Sequence, residues 1–164
     1  MAKEPDFLSW EDRFSVGIPL VDSQHKKLFE VTNELYDACR LNNNFAKMQF
    51  KQTVREAVAY VKYHFSAEEQ IMKRTSYPEY PVHKKAHEDF VMEIIKNAED
   101  FETGKKFVPH NFVRFLKDWI LSHVALTDSK VGYYIVELQK SGKLGKIILE
   151  EAKPEAQLRA SGVR

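Results

Sequence analysis

Apolar residues recur along this chain at alternating spacings of three and four, which is the pattern of helices that bury one face. Proline and glycine, which interrupt helices, are absent from three long stretches: 20–77, 82–103 and 110–131. Three consecutive asparagines at 42–44 divide the first stretch in two. The pattern therefore predicts four helices, at about 22–41, 45–75, 80–103 and 110–128. Short connections make successive helices antiparallel, so we expect an all-α, up-down-up-down antiparallel four-helix bundle.

Residues at the expected helix ends agree with this division. Asp22 and Ser23 stand where the N-cap of the first helix belongs. Gly104 follows the third helix as a C-terminal glycine would, and Pro109 fits the first turn of the fourth.

Segments of different composition flank the predicted bundle. An N-terminal arm with the aromatic residues Phe7, Trp10 and Phe14 precedes it. Residues 141–164 carry three glycines, one proline and many charges, and we expect a short helix followed by a loose end. We therefore expect two units: residues 1–136, the bundle with its arm, and residues 137–164, a C-terminal extension.

The apolar faces of the four helices also carry histidines and an acid: His25, His64, Glu68, His83, His87 and His123. These residues lie near the starts of the first and third helices and the ends of the second and fourth. Those four ends are neighbours in an up-down-up-down bundle. Asp128 follows His123 by five residues, about 140° around a regular helix. We expect the helix to widen or end there, which would bring the Asp128 carboxylate into the same layer.

Seven such groups in one buried layer predict a metal site. Each buried polar group left without a partner costs about 1–3 kcal/mol, and a bound cation satisfies them together. One such histidine alone would as readily be a hydrogen-bonded core residue. Five imidazoles and two carboxylates can hold two adjacent ions; this donor set suits iron, and less specifically zinc, copper, cobalt or manganese. With Cys39 as the only cysteine, an iron–sulfur cluster and a zinc finger are disfavoured.

Three other residues of types that can bind metal are expected to lie outside the predicted layer. His110 is about 220° around the fourth helix from His123, and we expect it to be exposed. Glu69 is rotated away from the face of Glu68, and we expect it to face solvent. Cys39 lies far along the first helix, where a packing role is favoured over redox chemistry.

The motifs that carry these residues resemble the hemerythrins in their bacterial form, over about residues 8 to 136. They are, in order, Trp10…Val16-Gly17-Ile18…Val21-Asp22-x-x-His25, His64-Phe65-x-x-Glu68-Glu69, Tyr77-Pro78…His83-x3-His87 and Trp119-x3-His123-x3-Thr127-Asp128. The resemblance implies reversible O2 binding at a non-haem di-iron site. It implies that His83, His87 and His123 hold one iron, and that His25 and His64 hold the other, which keeps an open position.

By the same resemblance, Glu68 and Asp128 bridge the two irons together with an oxo or hydroxo group. A carrier of this kind must exclude water. Four residues that flank the ligands are candidates for a dry O2 pocket, although each alone reads equally well as core packing: Phe65, Trp119, Ile120 and Val124. Of these, we expect Ile120 to control O2 access or autoxidation.

The function expected first is O2 transport, storage or delivery, with at most a weak peroxidase-type side activity. The alternatives are an oxygen or redox sensor that acts through a partner, a di-iron peroxidase or nitric-oxide-handling enzyme, and metal storage or a different metal pair. We call the core-facing positions along each helix, which recur at spacings of three and four, its apolar seam. No acid or base beyond the seven candidate ligands lies on these seams, which weighs against an enzyme that needs a general acid or base. A protein partner would find its candidate contact in the C-terminal extension.

Bulk properties restrict the partners further. The net charge is +1, so the composition does not indicate nucleic-acid binding. No apolar run approaches the length of a membrane span, and the first ten residues contain no apolar signal core. We expect a cytoplasmic protein with O2 as its ligand, no nucleic-acid partner and no membrane association.

Overall fold

The computed structural model describes residues 6–40, 44–103 and 109–143, and all regular structure in those ranges is helical. The α-helices are α1 (Pro19–Arg40), α2 (Asn44–Arg74), α3 (Tyr80–Glu102), α4 (Pro109–Ser122) and α5 (Ser129–Lys140). A π-helical segment, His123–Asp128, joins α4 to α5 without a break, and a 3-10 turn, Asp12–Phe14, precedes α1. None of the described helices is long and apolar enough to cross a membrane.

The first four α-helices form the predicted up-down-up-down antiparallel bundle. Helix α1 packs against α2 and α4, and α2 packs against α3. Aromatic rings join α3 to α4: the Phe90 ring is stacked on the Trp119 indole with 3.7 Å between centroids. The prediction of an all-α four-helix bundle is confirmed, because seam spacing and short connections together leave few other ways to bury these faces.

The apolar seams fill the bundle interior as predicted. Leu28 and Leu35 from α1, Phe50 from α2 and Phe112 from α4 are each at most 4% exposed. Burying a side chain of this size contributes about 1.5–3 kcal/mol relative to leaving it in water. Two predicted seam residues are only half-buried, namely Cys39 and Trp119.

The start of α1 corrects the predicted N-cap. The helix begins at Pro19, so Asp22 and Ser23 lie inside it. Proline suits the first position because its missing N–H has no partner there in any helix. The Asp22 carboxylate instead accepts hydrogen bonds from the Val16 N–H (2.7 Å) and the Ser15 hydroxyl (2.6 Å), which ties the arm to α1. The predicted start of the fourth helix is confirmed, because α4 begins at Pro109.

The chain remains helical well beyond residue 128, where the fourth helix was predicted to end. Val131 and Ile135 of α5 are buried in a second apolar cluster with Val16 and Met72, beyond the bundle end where α1 begins. Gly132 marks a close approach rather than a helix end. A Cβ atom there would lie 2.1 Å from the carbonyl oxygen of Val16. A helix that passes this close to the arm therefore requires glycine.

The N-terminal arm lies across α1 and α4. The Leu8 N–H donates to Asn33 Oδ1 (2.8 Å), and Asn33 Nδ2 donates back to the Leu8 carbonyl (2.9 Å). The Phe7 ring is stacked on Tyr36 with 4.1 Å between centroids. Lys117 of α4 donates to the Phe7 carbonyl (2.9 Å). The aromatic arm is therefore part of the folded bundle.

Some of the expectations concern residues outside the described ranges. These are Gly104, the asparagines at 42 and 43, and residues 144–164 of the C-terminal extension. The predicted boundary between units, at 136/137, falls inside α5, Ser129–Lys140, where the helix continues.

Candidate metal centre

Seven predicted ligands meet in one buried layer of the bundle. Each of them is at most 5% exposed: His25, His64, Glu68, His83, His87, His123 and Asp128. Among the described residues, their ligand atoms form two groups, and within each group all the atoms lie within 4.8 Å of one another. We name these seven residues the histidine layer.

The larger group contains three imidazoles whose Nε2 atoms form a nearly equilateral triangle. The Nε2 atoms of His83 and His87 are 3.0 Å apart, and His123 Nε2 is 3.1 Å from each. Each Nε2 carries one in-plane proton or lone pair, so the three atoms cannot all hydrogen-bond to one another. Three nitrogens bound at about 2.1 Å lie about 3.0 Å apart on an octahedral face and about 3.4 Å apart in a tetrahedron. The triangle therefore has the dimensions of an octahedral face.

The Asp128 carboxylate reaches both groups. Its Oδ1 lies 3.2 Å from His83 Nε2 and 3.1 Å from His123 Nε2. Its Oδ2 lies 3.2 Å from His25 Nε2, on the other side. Asp128 thus presents one oxygen to each cluster of imidazoles.

Glu68 occupies the corresponding place on α2. Its Oε2 lies 3.4 Å from His87 Nε2 and 3.5 Å from His64 Nε2, and its Oε1 lies 3.7 Å from His25 Nε2. Both carboxylates therefore belong to both groups: the larger one with three histidines and the smaller one with His25 and His64. Two clusters that share two carboxylates can hold two ions side by side.

The π-helical segment explains how Asp128 joins the layer. Backbone hydrogen bonds in a π-helix span five residues rather than four, so positions five apart lie much closer to one face than they do in a regular α-helix. The segment begins at His123 and ends at Asp128, and both side chains are buried. The expectation that the helix widens here is confirmed, and the regular helix resumes at Ser129.

Several buried atoms of the layer lack hydrogen-bond partners within the protein. In the described part of the chain, buried side-chain nitrogen and oxygen atoms without a partner occur only in Gln24, His25, Glu68, His83 and Asp128. Each such atom costs about 1–3 kcal/mol when it stays unpaired. A cation between the imidazole lone pairs and the carboxylates satisfies the ligand atoms among them, so the residues present fit a metal pair.

Burial and mutual contact shift the titration of the layer. Burial lowers the pKa of His64 to about 4, which keeps its imidazole neutral. Burial alone would also lower the pKa of His25, but the adjacent carboxylates of Asp128 and Glu68 outweigh it and raise that pKa to about 9. Although burial and mutual repulsion oppose it, the surrounding histidines hold the pKa of Glu68 and Asp128 below the usual values. Both acids are therefore ionised, as metal binding requires.

Two residues outside the predicted set contact the layer. Gln24 is 3% exposed, and its Oε1 lies 3.1 Å from His64 Nδ1. The Glu69 carboxylate lies 3.4 Å from His87 Nδ1, and its side chain is 18% exposed. The prediction that Glu69 faces solvent is wrong: its rotation from Glu68 turns it towards α3. A signal for Gln24 exists in the sequence, because it lies four residues before the buried Leu28.

Two of the four predicted pocket residues lie against ligand rings of the histidine layer. The Phe65 ring is stacked on His87 with 3.7 Å between centroids, and the Trp119 indole is stacked on His123 with 4.1 Å. Both aromatic rings therefore cover the three-histidine group. Ile120 and Val124 are buried in the same apolar cluster as Phe65.

Two of the three residues expected to lie off the histidine layer, His110 and Cys39, do so. His110 is exposed at the start of α4, as predicted. Cys39 is half-buried, and burial raises the pKa of its thiol to about 12, which keeps it protonated. Both observations agree with the expectation that neither residue takes part in metal chemistry.

The chain is similar to known proteins over most of its length. The family model described as Hemerythrin HHE cation binding domain matches residues 16–135. A bacteriohemerythrin of Stenotrophomonas maltophilia is 26% identical over 149 residues, which cover 86% of this chain and 95% of that protein. A myohemerythrin of Theromyzon tessulatum is 31% identical over 128 residues, which cover 77% and 92%.

A solved structure agrees with these sequence matches. The crystal structure of a wild-type hemerythrin superposes with a TM-score of 0.74 at 25% identity and covers 79% of this chain and 98% of that one. The matched family segment also contains every residue of the histidine layer. The chain belongs to the hemerythrin family.

Proposed function

We propose that this protein binds O2 reversibly at a non-haem di-iron centre and serves to carry, store or deliver oxygen. The observation that carries the proposal is the pair of ligand groups that share Glu68 and Asp128. Membership of the hemerythrin family supports iron as the metal and O2 as the ligand. The dimensions of the three-nitrogen triangle also fit an octahedral ion such as iron.

In this proposal, His83, His87 and His123 hold one iron, and His25 and His64 hold the other. Each ion lies against imidazole Nε2 atoms, which are neutral donors when the ring is not protonated. The pair supplies one nitrogen fewer than the trio. An iron held by the pair would therefore have room for O2 as a further ligand.

The carboxylates of Glu68 and Asp128 would be shared by the two irons, together with an oxo or hydroxo group. The contacts of each carboxylate with imidazoles of both groups support this role. The bound iron pair supplies two electrons that O2 can share and return. The protein contributes the fixed spacing of the two positions and the charge that offsets the cations.

The surroundings of the layer suit reversible binding. Phe65, Ile120 and Val124 are each at most 4% exposed, and Trp119 covers His123. An apolar wall of this kind excludes water and stray protons that would promote irreversible oxidation. The ionisable groups of the layer are its ligands, and the adjacent Glu69 is engaged with His87. A binding protein therefore fits better than an enzyme that needs a free acid or base.

We assign O2 binding to residues 1–136 and treat residues 137–164 as an extension that a protein partner could contact. We also propose that the protein is cytoplasmic. The position of every proposed ligand at or before Asp128 supports this division. The family match, which ends at residue 135, also supports it.

Optical spectroscopy tests the proposal. The protein is loaded anaerobically with ferrous iron, exposed to O2, and then purged of O2, while charge-transfer absorption is recorded. We expect a band that appears with O2 and disappears on purging, and no band in a zinc-loaded control. A stable diferric spectrum after the first exposure would instead indicate a redox enzyme or sensor. Failure to take up iron would contradict the proposal altogether.

A further inference from the structure

We propose that Glu69 and Gln24 are positioning residues that widen the difference between the two metal positions beyond what ligand number gives, so that the three-histidine position binds its metal still more tightly. The inference rests on the proposed function, because it takes both ligand groups to bind metal. Each of these two residues contacts the ring nitrogen of a ligand that faces away from the metal position: Glu69 contacts His87 Nδ1, and Gln24 contacts His64 Nδ1.

Glu69 contributes a negative charge behind the three-histidine group. Its Oε1 lies 3.4 Å from His87 Nδ1, so the ring N–H donates to a carboxylate. That hydrogen bond leaves the lone pair on Nε2, which points into the nitrogen triangle. A carboxylate behind a ligand imidazole raises the basicity of the metal-binding nitrogen and fixes the orientation of the ring. The parallel Phe65 ring, 3.7 Å away, restrains His87 further.

Gln24 orients the His64 ring in the same way, but its amide is uncharged. Its Oε1 lies 3.1 Å from His64 Nδ1, and both residues are at most 3% exposed. The amide selects the tautomer with the lone pair on Nε2, as the carboxylate does for His87. A hydrogen bond to an ionised acceptor is about twice as strong as one between neutral groups. The two-histidine group therefore receives less electron density from its outer partner.

The remaining features of the layer do not offset this difference. The Nδ1 atoms of His25 and His83 have no hydrogen-bond partner, so neither group gains from a second outer contact there. The Trp119 indole is stacked on His123 at 4.1 Å and adds a restraint to the three-histidine group. The expected consequence is a fixed order of loss, in which the metal of the two-histidine group leaves first.

Release of iron to a chelator tests the inference. The full chain is loaded anaerobically with two equivalents of ferrous iron and mixed with an excess of an iron-specific chelator, and coloured complex is followed with time. Wild-type protein should show two phases of equal amplitude. In Glu69→Gln, we expect the slow phase to accelerate about 10–100-fold while the fast phase stays unchanged. The reciprocal variant, Gln24→Glu, should slow the fast phase and bring the two rates together.

Two controls separate a role in metal binding from a general structural role. Glu88→Gln makes the same chemical change on an exposed residue that pairs with Lys84. Glu88 and Glu69 both line a groove between α2 and α3. Glu88→Gln should leave both phases unchanged. Thermal unfolding of the metal-free proteins should also show the same midpoint for Glu69→Gln and wild type. If that midpoint falls, Gln24→Glu provides the test by itself.

The outcomes distinguish this inference from the proposed function. A single release phase in the wild type, or a slow phase that Glu69→Gln leaves unchanged, overturns the inference while the di-iron proposal stands. An unchanged fast phase in Gln24→Glu overturns it as well. A wild-type chain that takes up no iron contradicts the proposed function itself.

Discussion

The two ends of the bundle are stabilised by opposite means. Near Leu35, Phe50 and Phe112, the interior is filled with apolar side chains that are at most 3% exposed, and burial alone favours folding. In the histidine layer, which begins at His64, about 21 Å along α2 from Phe50, the interior instead holds imidazoles and carboxylates. The buried side-chain atoms that lack hydrogen-bond partners in the described chain all belong to that layer and to the adjoining Gln24.

This contrast shows that the fold and the site have separate sources of free energy. The apolar end contributes stability in the absence of any ligand. The histidine layer costs free energy until a cation lies between its donors, because unpaired buried groups have lost their hydration. A substitution at one end should therefore change the stability of the bundle, and a substitution at the other should change its metal content.

The largest effect on metal content is expected from Asp128→Ala. This change removes a carboxylate that contacts imidazoles of both groups, and leaves each group short of an anionic donor. We expect iron content to fall from two per chain to none, measured by elemental analysis after anaerobic loading and gel filtration. Asp118→Ala, which removes an exposed acid from α4, is the matched control and should retain both irons. Two irons in Asp128→Ala would contradict a bridging role.

A smaller loss is expected from His25→Ala. His25 belongs to the two-histidine group alone, so the other group keeps its full set of donors. Iron content should fall to about one per chain, and the absorption band that depends on O2 should disappear. His110→Ala changes an exposed histidine outside the layer and should leave both measurements as in the wild type. Normal O2 binding in His25→Ala would rule out O2 entry at the two-histidine iron.

At the apolar end, Leu35→Ala should change stability and leave the metal site intact. Leu35 is fully buried, and its truncation opens a cavity. We expect the free energy of unfolding, measured by chemical denaturation, to fall by about 2–5 kcal/mol. The variant should still bind two irons and O2. Loss of iron from a folded Leu35→Ala protein would show that the two ends are coupled.

The smallest effect is expected from Cys39→Ala. This half-buried side chain lies towards the apolar end, and its thiol has a raised pKa. The free energy of unfolding should change by about 1 kcal/mol or less. Optical titration should show the same O2 response and iron content as the wild type. A faster oxidation of the iron centre in this variant would reveal a redox role for Cys39.

The sequence is sufficient to predict the bundle and the meeting of the seven side chains. Helical periodicity sets which face a residue occupies, and position along each helix sets its height, so His25 and His123 could be placed in one layer. The five-residue spacing before Asp128 also indicated the widened helix. Both inferences depend on local geometry, which the order of residues largely determines.

Features that depend on tertiary contact could not be predicted in this way. Periodicity gives the direction of the Glu69 side chain, but not whether an imidazole N–H from another helix lies there to donate a hydrogen bond to its carboxylate. The continuation of the helix past Asp128 depends on burial of Val131 and Ile135 against the arm and on close contact at Gly132. Each of these features arises only when distant segments are packed together.

If the histidine layer holds two metal ions that share Glu68 and Asp128, both ions should be visible in a crystal structure of the iron-loaded protein, with anomalous data collected at the iron edge. We predict two peaks about 3.5 Å apart, one against the three-nitrogen triangle and the other against His25 and His64, with both carboxylates between them. A single peak, or two peaks that do not share the carboxylates, would contradict the account.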